Sequence, residues 1–557
     1  MKGAPFKTAP GAFQKRSSHN LSYNKHFTAD FGQLIPIYTE YCMPGDTFKI
    51  NLDLVIRSMP LISPVMHKTF ATTHWFFCPF RILDDNWETF ITGGPNGDDE
   101  STQPVIPPDT PWENTSLLNY LYDFTPPLKT TLNFNLNAWK LMVYNQTYND
   151  YYRDENLIEE YDLMDMNWKY RAFTKDYFTS SLPFQQRGTS PAMHAVFSDA
   201  AIDFSNMLGF GDQTVGIRNY SGSPYPDTTP LIYGRQFPNQ YHPDSLTVGV
   251  INQYDDLGKA KILPQYNITQ NDKQEYRYLQ TLWDEWTIHN LNNAKITGDI
   301  ISEWNINDLR EAFQIQRYLE ALARSGVKYT EVLKAIWGVS PTDERLDRPE
   351  YIGGSHQPII ISEVLQTSAS EDGTNGSKQG NMAGHGITAN STHIGNYKCY
   401  EWGMIIGILS IMPTPAYCQG VDRRDTTESR FDYPNPFFMH LSERPTLNRE
   451  LCITGTPYDN MPFGFQGIWD EWRIKHDSCN GLMLDDGFSS WHLTRFFDVN
   501  NPPALNREFI ECSGDTLQGF KRIFAVPTQP GFVVNANTNC EAIRPMPFIA
   551  DPGLVDH

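Results

Sequence analysis

Phe48-Lys49-Ile50-Asn51-Leu52-Asp53-Leu54-Val55-Ile56 is the most informative stretch of the chain. Phe48, Ile50, Leu52, Leu54 and Ile56 alternate with Lys49, Asn51 and Asp53, and a period of two is that of a strand with one face on a core and one in water. Pro44-Gly45-Asp46 just before it supplies a turn. Thr69 to Phe77, rich in Thr, Phe and Trp and ended by Pro79, predicts a second strand. Far downstream, Lys398 to Met412, Phe520 to Val526 and Phe532 to Ala536 carry the same kind of signal, each bounded by Pro or Gly. The nearly apolar run Trp402 to Met412 is well short of the ~20 residues that cross a bilayer and predicts a buried strand. Strands at both ends of the chain, separated by roughly 300 residues, do not fit consecutive hairpins; they fit a sandwich whose sheets are completed by distant segments, with large insertions in its loops.

One region between these ends reads as helix. Asn307 is placed to cap a helix in which Leu309, Ala312, Phe313, Ile315, Leu319 and Leu322 recur at helical spacing until Gly326. A short second helix follows Thr330, with Val332, Leu333, Ile336 and Trp337 on one side. It offers only Lys334 as a cation, so the pair makes a poor DNA-reading helix-turn-helix. Residues 189–282, rich in Pro, Gly, Asn, Tyr and Asp, read as one loop-like insertion, and residues 366–396 as a polar, mobile loop.

The 557 residues include 44 basic and 65 acidic side chains, a formal charge of -21. Such a balance argues against a free-standing nucleic-acid enzyme, since attraction to phosphate needs positive surface. The charge is uneven, however. Residues 1–29 hold Lys2, Lys7, Lys15, Arg16 and Lys25 with no Asp or Glu, interleaved with Phe6, Phe13, Tyr23 and Phe27. Cations that track phosphates and rings that stack on bases suit single-stranded nucleic acid, so these five cations are the candidate nucleic-acid contacts. Asp150 to Asp165, with seven acids and one Arg, reads as solvent-facing. The amino terminus shows no apolar signal, and none of the eight cysteines has a partner at metal-knuckle or redox-motif spacing. Ordinary buried thiols in a chain made in the cytoplasm are expected, without cofactor or metal.

Catalytic motifs are scarce. A phosphate loop, His-Glu-x-x-His and a Gly-x-Ser-x-Gly elbow are all missing. Trp283-Asp284-Glu285-Trp286 and Trp469-Asp470-Glu471-Trp472 place paired carboxylates beside aromatic platforms. Glycosidases need such pairs, and a carbohydrate-binding lectin or glycosidase is therefore the alternative reading. His356, His385 and His393 lie in or near the polar loop at spacings that match no tight ligand set, and are read as solvated loop histidines. His74, inside an apolar strand, is expected to be half-buried and hydrogen-bonded.

Several segments together resemble one family. Tyr41-Cys42-Met43-Pro44-Gly45-Asp46-Thr47-Phe48, Arg57-Ser58-Met59-Pro60 and Phe76-Phe77-Cys78-Pro79-Phe80-Arg81 resemble the amino-terminal part of microvirus major capsid proteins, those of the gokushovirus branch of small single-stranded DNA bacteriophages. Asp176-Tyr177-Phe178-Thr179-Ser180-Ser181-Leu182-Pro183 is similar to a further family segment, as is Leu309-Arg310-Glu311-Ala312-Phe313-Gln314-Ile315-Gln316 with Arg348-Pro349-Glu350-Tyr351-Ile352-Gly353-Gly354. Ser490-Trp491-His492-Leu493, Arg544-Pro545-Met546-Pro547 and the closing Pro552-Gly553-Leu554-Val555-Asp556-His557 complete the ordered set.

The resemblance implies a mainly β protein, an eight-stranded viral jelly-roll β-sandwich with long loop insertions and a few helices in the connections. It implies self-assembly of about sixty copies into a T=1 icosahedral capsid around circular single-stranded DNA, with assembly in the bacterial host cytoplasm and no membrane insertion. The expected organisation is a basic inward-facing arm (1–29), first strands and loops (30–188), a variable surface insertion and candidate threefold protrusion (189–282), a helical connection (283–365), the polar loop (366–396), and the remaining strands with a carboxyl-terminal extension (397–557). Expected partners are the genome, a small basic DNA-binding protein, an internal scaffolding protein and a host surface receptor. Sixty copies at -21 each repel the genome before any phosphate is counted, so packaging asks for compensating cations: polyamines, metal ions or such a small basic partner. The third reading, a virion spike, predicts trimers or pentamers in place of a closed shell.

Overall fold

The alternating stretch lies inside a twelve-residue strand, Thr47–Ser58, with its apolar residues buried and Lys49 and Arg57 exposed. The computed structural model describes residues 16–94, 100–108, 110, 112–124, 134–188, 196–197, 201–203, 231–233, 245–254, 260–269, 295–297, 300–301, 306–325, 329–334, 338–339, 342–365, 382–439, 441 and 443–548. Two main sheets form from strands β1 (Ser17–Asn20), β2 (Tyr23–Ala29), β3 (Ile35–Cys42), β4 (Thr47–Ser58), β5 (Thr69–Pro79), β6 (Glu350–Pro358), β7 (Ile360–Leu365), β8 (Met382–Lys398), β9 (Gly403–Pro413) and β10 (Phe532–Arg544). The first sheet has the order β1-β10-β4-β8-β7, with β2 also paired to β10; the second has the order β6-β5-β9-β3. All of these pairings are antiparallel. The sheets are closed by long-range partners, as when Ile56 of β4 sits opposite Val534 of β10 and Thr388 of β8.

The two sheets face each other across one core. Phe48, Ile50, Leu52, Leu54 and Ile56 of β4 and Val534, Ala536 and Ala542 of β10 meet Tyr38, Trp75, Phe77, Ile405 and Leu409 of the second sheet. That second sheet is covered on its other side as well. Phe76, Cys78, Met404, Ile406 and Ile408 pack against Trp139, Leu141, Val143, Tyr144 and Tyr148 of helix α1 (Trp139–Tyr151) and its flanking turns. Burial on both faces explains why β9 reads as an unbroken apolar run while β4, with one face in water, alternates. The result is a mixed β/α fold, a two-sheet sandwich with helical insertions.

Several expectations need correcting. Phe520 to Val526 is not a strand: helix Gly514–Phe520 runs into a 3-10 turn, Lys521–Ile523. A short apolar run fits a buried helix end as well as a strand, and periodicity alone cannot separate them. Residues 382–396, assigned to the polar loop, belong to β8; their Asn, Ser and Thr side chains are polar because alternate positions face water. Residues 366–381 lie outside the described residues. The central helix α2 spans Ile306–Ser325, so Asn307 is inside it and is not its cap.

The acidic stretch after α1 is half-buried and tethered. Buried Asn145 donates from Nδ2 to the Leu163 and Asp165 carbonyls, both at 2.8 Å, and Asn149 Nδ2 donates to the Tyr161 carbonyl at 2.8 Å. Asp154 pairs with Lys175 at 2.5 Å and Asp165 with buried Lys169.

The chain divides into two compact units, one built from residues 1–190 and 315–557, the other from Pro191–Gln314. The second contains strands where the composition read as loop. Leu231–Tyr233, Ser245–Tyr254 and Ala260–Thr269 form a three-stranded antiparallel sheet. Val196–Phe197 pairs with Ile300–Ile301, and Ala201–Asp203 with Lys295–Thr297, so the beginning and end of this unit make a common stem.

Candidate nucleic-acid interface

Strand β2 shows how parity decides the fate of a cation. Asn24, His26 and Thr28 are exposed, while Lys25, Phe27 and Ala29 are buried on the core side. The Lys25 ammonium is 2.8 Å from the Asp123 carboxylate and donates to the Tyr120 carbonyl at 2.5 Å. Burial lowers its pKa, and Asp123 opposes that shift. Lys25 is thus committed inside the subunit. The alternation Tyr23-Asn24-Lys25-His26-Phe27-Thr28-Ala29 is the signal that places it there.

Of the other candidate cations, Lys2, Lys7 and Lys15 lie outside the described residues, and Arg16 is exposed at the start of β1. Its guanidinium flanks the turn at Gly45, beside buried Asp46. Asp46 accepts from the Met43 backbone N–H at 3.1 Å and faces Arg544 Nε at 3.4 Å; Arg544 also pairs with Glu40 at 2.6 Å. Residues 17–29 are therefore edge strands of the first sheet, not free chain.

The sequence reading passed over a second surface. On the water side of the first sheet, Asn24 and His26 of β2, Asn51 and Asp53 of β4, Asn535, Asn537 and Asn539 of β10, and His393 of β8 occupy the non-core positions. Asp53 accepts from Asn539 at 2.7 Å and from Asn537 at 3.3 Å, and His393 Nδ1 bonds Asn51 Oδ1 at 2.7 Å. The parity of Asn51 and Asp53 in the opening stretch already marked this face. Amides supply donors and acceptors with no net charge, so these side chains can hydrogen-bond a polar polymer, while Lys49 and Arg57, exposed on the same side of β4, supply positive charge.

A family model for the capsid protein (F protein) matches residues 8–554. The chain belongs to the capsid protein (F protein) family. It is similar to the capsid protein VP1 of Chlamydia phage 1, 29% identical with 99% of this chain and 97% of that protein covered. Similar matches are the capsid protein VP1 of Bdellovibrio phage phiMH2K, at 31% with 97% and 96% covered, and of Spiroplasma virus 4, at 27% with 99% and 97% covered. This is a structural capsid subunit and not an enzyme, which removes the lectin or glycosidase alternative.

The capsid subunit puts its acid/aromatic segment to structural use. Trp469 is buried and donates its indole N–H to the Asp432 carbonyl at 3.2 Å, Asp470 pairs with Arg473 at 2.5 Å, and buried Glu471 pairs with Arg444. Trp283 to Trp286 lies outside the described residues. The histidines read as loop residues sit on strands. His356 bonds Thr72 Oγ1 at 3.0 Å and stacks on Phe70, while His385 and His393 are on β8. Among the described residues no group of three or more His, Cys, Asp or Glu could hold a metal, and no helix is long and apolar enough to cross a membrane. All eight cysteines are free and six of them are buried.

His74 is half-buried as expected, its Nδ1 hydrogen-bonded to the Tyr152 hydroxyl at 2.8 Å. Burial, with Arg171 and His356 nearby, pulls its pKa down to about 4 from 6.5. The folded subunit therefore binds fewer protons here than the unfolded chain between pH 6.5 and 4, and stability falls as pH falls through that window. Burial lowers His67, His476 and His492 in the same direction. His74→Gln is expected to remove up to about 3 kcal/mol of this acid sensitivity. Urea titrations of wild type and variant at pH 7 and pH 4.5 check it; an identical pH slope in the two would contradict the assignment.

Proposed function

We propose that this protein is the major capsid subunit of a gokushovirus-type microvirus, about sixty copies of which close into a T=1 shell around circular single-stranded DNA. The observation that carries the reading is the strand order. Counting β2, β3, β4, β5, β6, β8, β9 and β10 as strands one to eight, the sheets run 1-8-3-6 and 2-7-4-5. That interleaving of two Greek keys is the arrangement of an eight-stranded viral jelly roll, with β1 and β7 as added edges. A sandwich closed by its first and last strands makes a rigid tile from which long loops reach neighbours.

In this reading the genome is met by the arm preceding β1, with Lys2, Lys7, Lys15 and Arg16 as its cations and Lys25 holding the base of the arm in place. A small basic DNA-binding protein offsets the remaining acidic charge, and an internal scaffolding protein guides assembly in the bacterial cytoplasm. Because residues 17–29 are sheet strands, the test is deletion of residues 1–15. Nuclease-protected DNA per shell is expected to fall several-fold while shell yield stays within twofold of wild type. Unchanged DNA per shell would overturn the arm's role.

Residues 189–282, which from Pro191 on fall in the unit Pro191–Gln314, form the threefold protrusion that contacts the host receptor. Replacing 204–294 with a short linker keeps the paired stem. Such particles are expected to close but to lose adsorption to host cells; normal adsorption would contradict the attachment role.

A further inference from the structure

We propose that the surface formed by residues 431–439, 441 and 468–474 docks on a second copy of this chain, with Phe437 of one copy entering the cavity beside that segment on the other. The inference rests on the capsid reading and deepens it by naming a contact.

The surface is apolar well beyond what a monomer needs. Phe437 is 90% exposed, Phe431 58%, Leu441 55%, Tyr433 52% and Trp472 47%. At 150–250 Å² for each fully buried aromatic, this patch with Met439 and Ile474 exposes about 700 Å² of apolar side chain. Monomers rarely show contiguous patches above ~300–600 Å², and a standard interface covers ~800 Å² on each partner. The two segments are joined where the Trp469 indole N–H reaches the Asp432 carbonyl, and within the first Phe431 lies edge-on to Phe438 at 6.0 Å.

The surface is also held in shape before any partner arrives. Ser429 Oγ accepts from the Phe431 N–H at 3.2 Å, and Asp432 Oδ2 accepts from the Ser429 N–H at 2.7 Å, closing a capping box. Asn435 Oδ1 accepts from the Phe437 N–H at 3.0 Å at the start of the turn Pro436–Phe438. The backbone at Phe437 is thus held in a capped turn, with its ring exposed. A backbone ordered in advance loses little entropy on docking.

Beside it is a cavity of about 430 Å³, whose walls include Leu182, Met439, Leu441, Phe465, Ile468 and Ile474. Its charged wall groups are already paired, Arg473 with Asp470 and Arg324 with Glu443, so an entering phenyl ring leaves no charge without a partner. Phe437 does not fill its own cavity, although Met439 two residues on lines it. A projecting ring and a receptive cavity on one face are what a repeated contact between identical subunits requires. That favours a second copy over a foreign partner.

The test places a benzophenone amino acid at position 437 and irradiates particles purified from phage-producing cells. The expected product is a covalent dimer of the chain whose linked peptide contains residues 465–474. A link confined to one chain, or to a different protein such as a scaffold, would overturn the proposal. In parallel, Phe437→Asp is expected to lower closed-shell yield at least tenfold while the isolated subunit melts within two degrees of wild type. Normal shells from that variant would overturn the contact but leave the capsid reading standing. Wild-type material that forms no shell would overturn both.

Discussion

Replacing Trp75 with alanine is expected to destabilise the isolated subunit by about 4 kcal/mol, read from urea unfolding. Trp75 is fully buried on β5, directly opposite Gly407 of β9, which in turn sits opposite Tyr38 of β3. The Trp75 and Tyr38 ring centroids are 5.3 Å apart. They meet across the central strand because Gly407 has no side chain between them. A Cβ added at Gly407 would lie 2.9 Å from the indole, tighter than any real contact. Gly407→Ala alone should therefore cost about 1–3 kcal/mol by overpacking. Once Trp75 is alanine, the same change should cost almost nothing, a coupling that a double-mutant cycle measures directly. Additive losses would mean that the ring does not lie over this glycine.

Glu511→Ala is the second large effect, expected at about 3 kcal/mol, toward the lower end for a broken buried pair because Arg507 retains some solvent. The Glu511 side chain is fully buried, just after the short helix Arg507–Ile510 and against helix α1. It accepts from the Tyr148 hydroxyl at 2.5 Å and from Arg507 Nε at 2.8 Å. Truncation strands the buried hydroxyl and an arginine at once. Glu511→Gln keeps an acceptor for one of them and should recover at least half of the loss. Equal losses for Ala and Gln would point to charge alone; no loss in either would contradict the buried network.

The strands that face one core were legible because their chemistry alternates or, for β9, does not. Phe48 to Ile56 predicted β4, and the apolar run Trp402 to Met412 predicted a buried strand. What the sequence hid depended on partners distant in the chain. The apolar residues of Phe520 to Val526 serve the core, where Phe520, Ile523 and Phe524 are buried and the two rings pack on Phe31, and that role needs no strand. Lys25 looked like one more cation in a basic arm until its parity with Phe27 and Ala29 was set by pairing with β10. Met382 to Asn396 looked like loop because a solvent-facing strand beside an edge carries the same polar residues. The apolar face at Phe431 to Leu441 could not be read at all, since a sequence does not say whether an apolar residue is covered by its own chain or by a neighbour.

The mass and shape of the assembly purified from phage-producing cells, by light scattering with negative-stain imaging, test the central claim most directly. The account predicts closed shells of about sixty subunits enclosing nuclease-protected single-stranded DNA. A monodisperse monomer or small oligomer from that same material would contradict it.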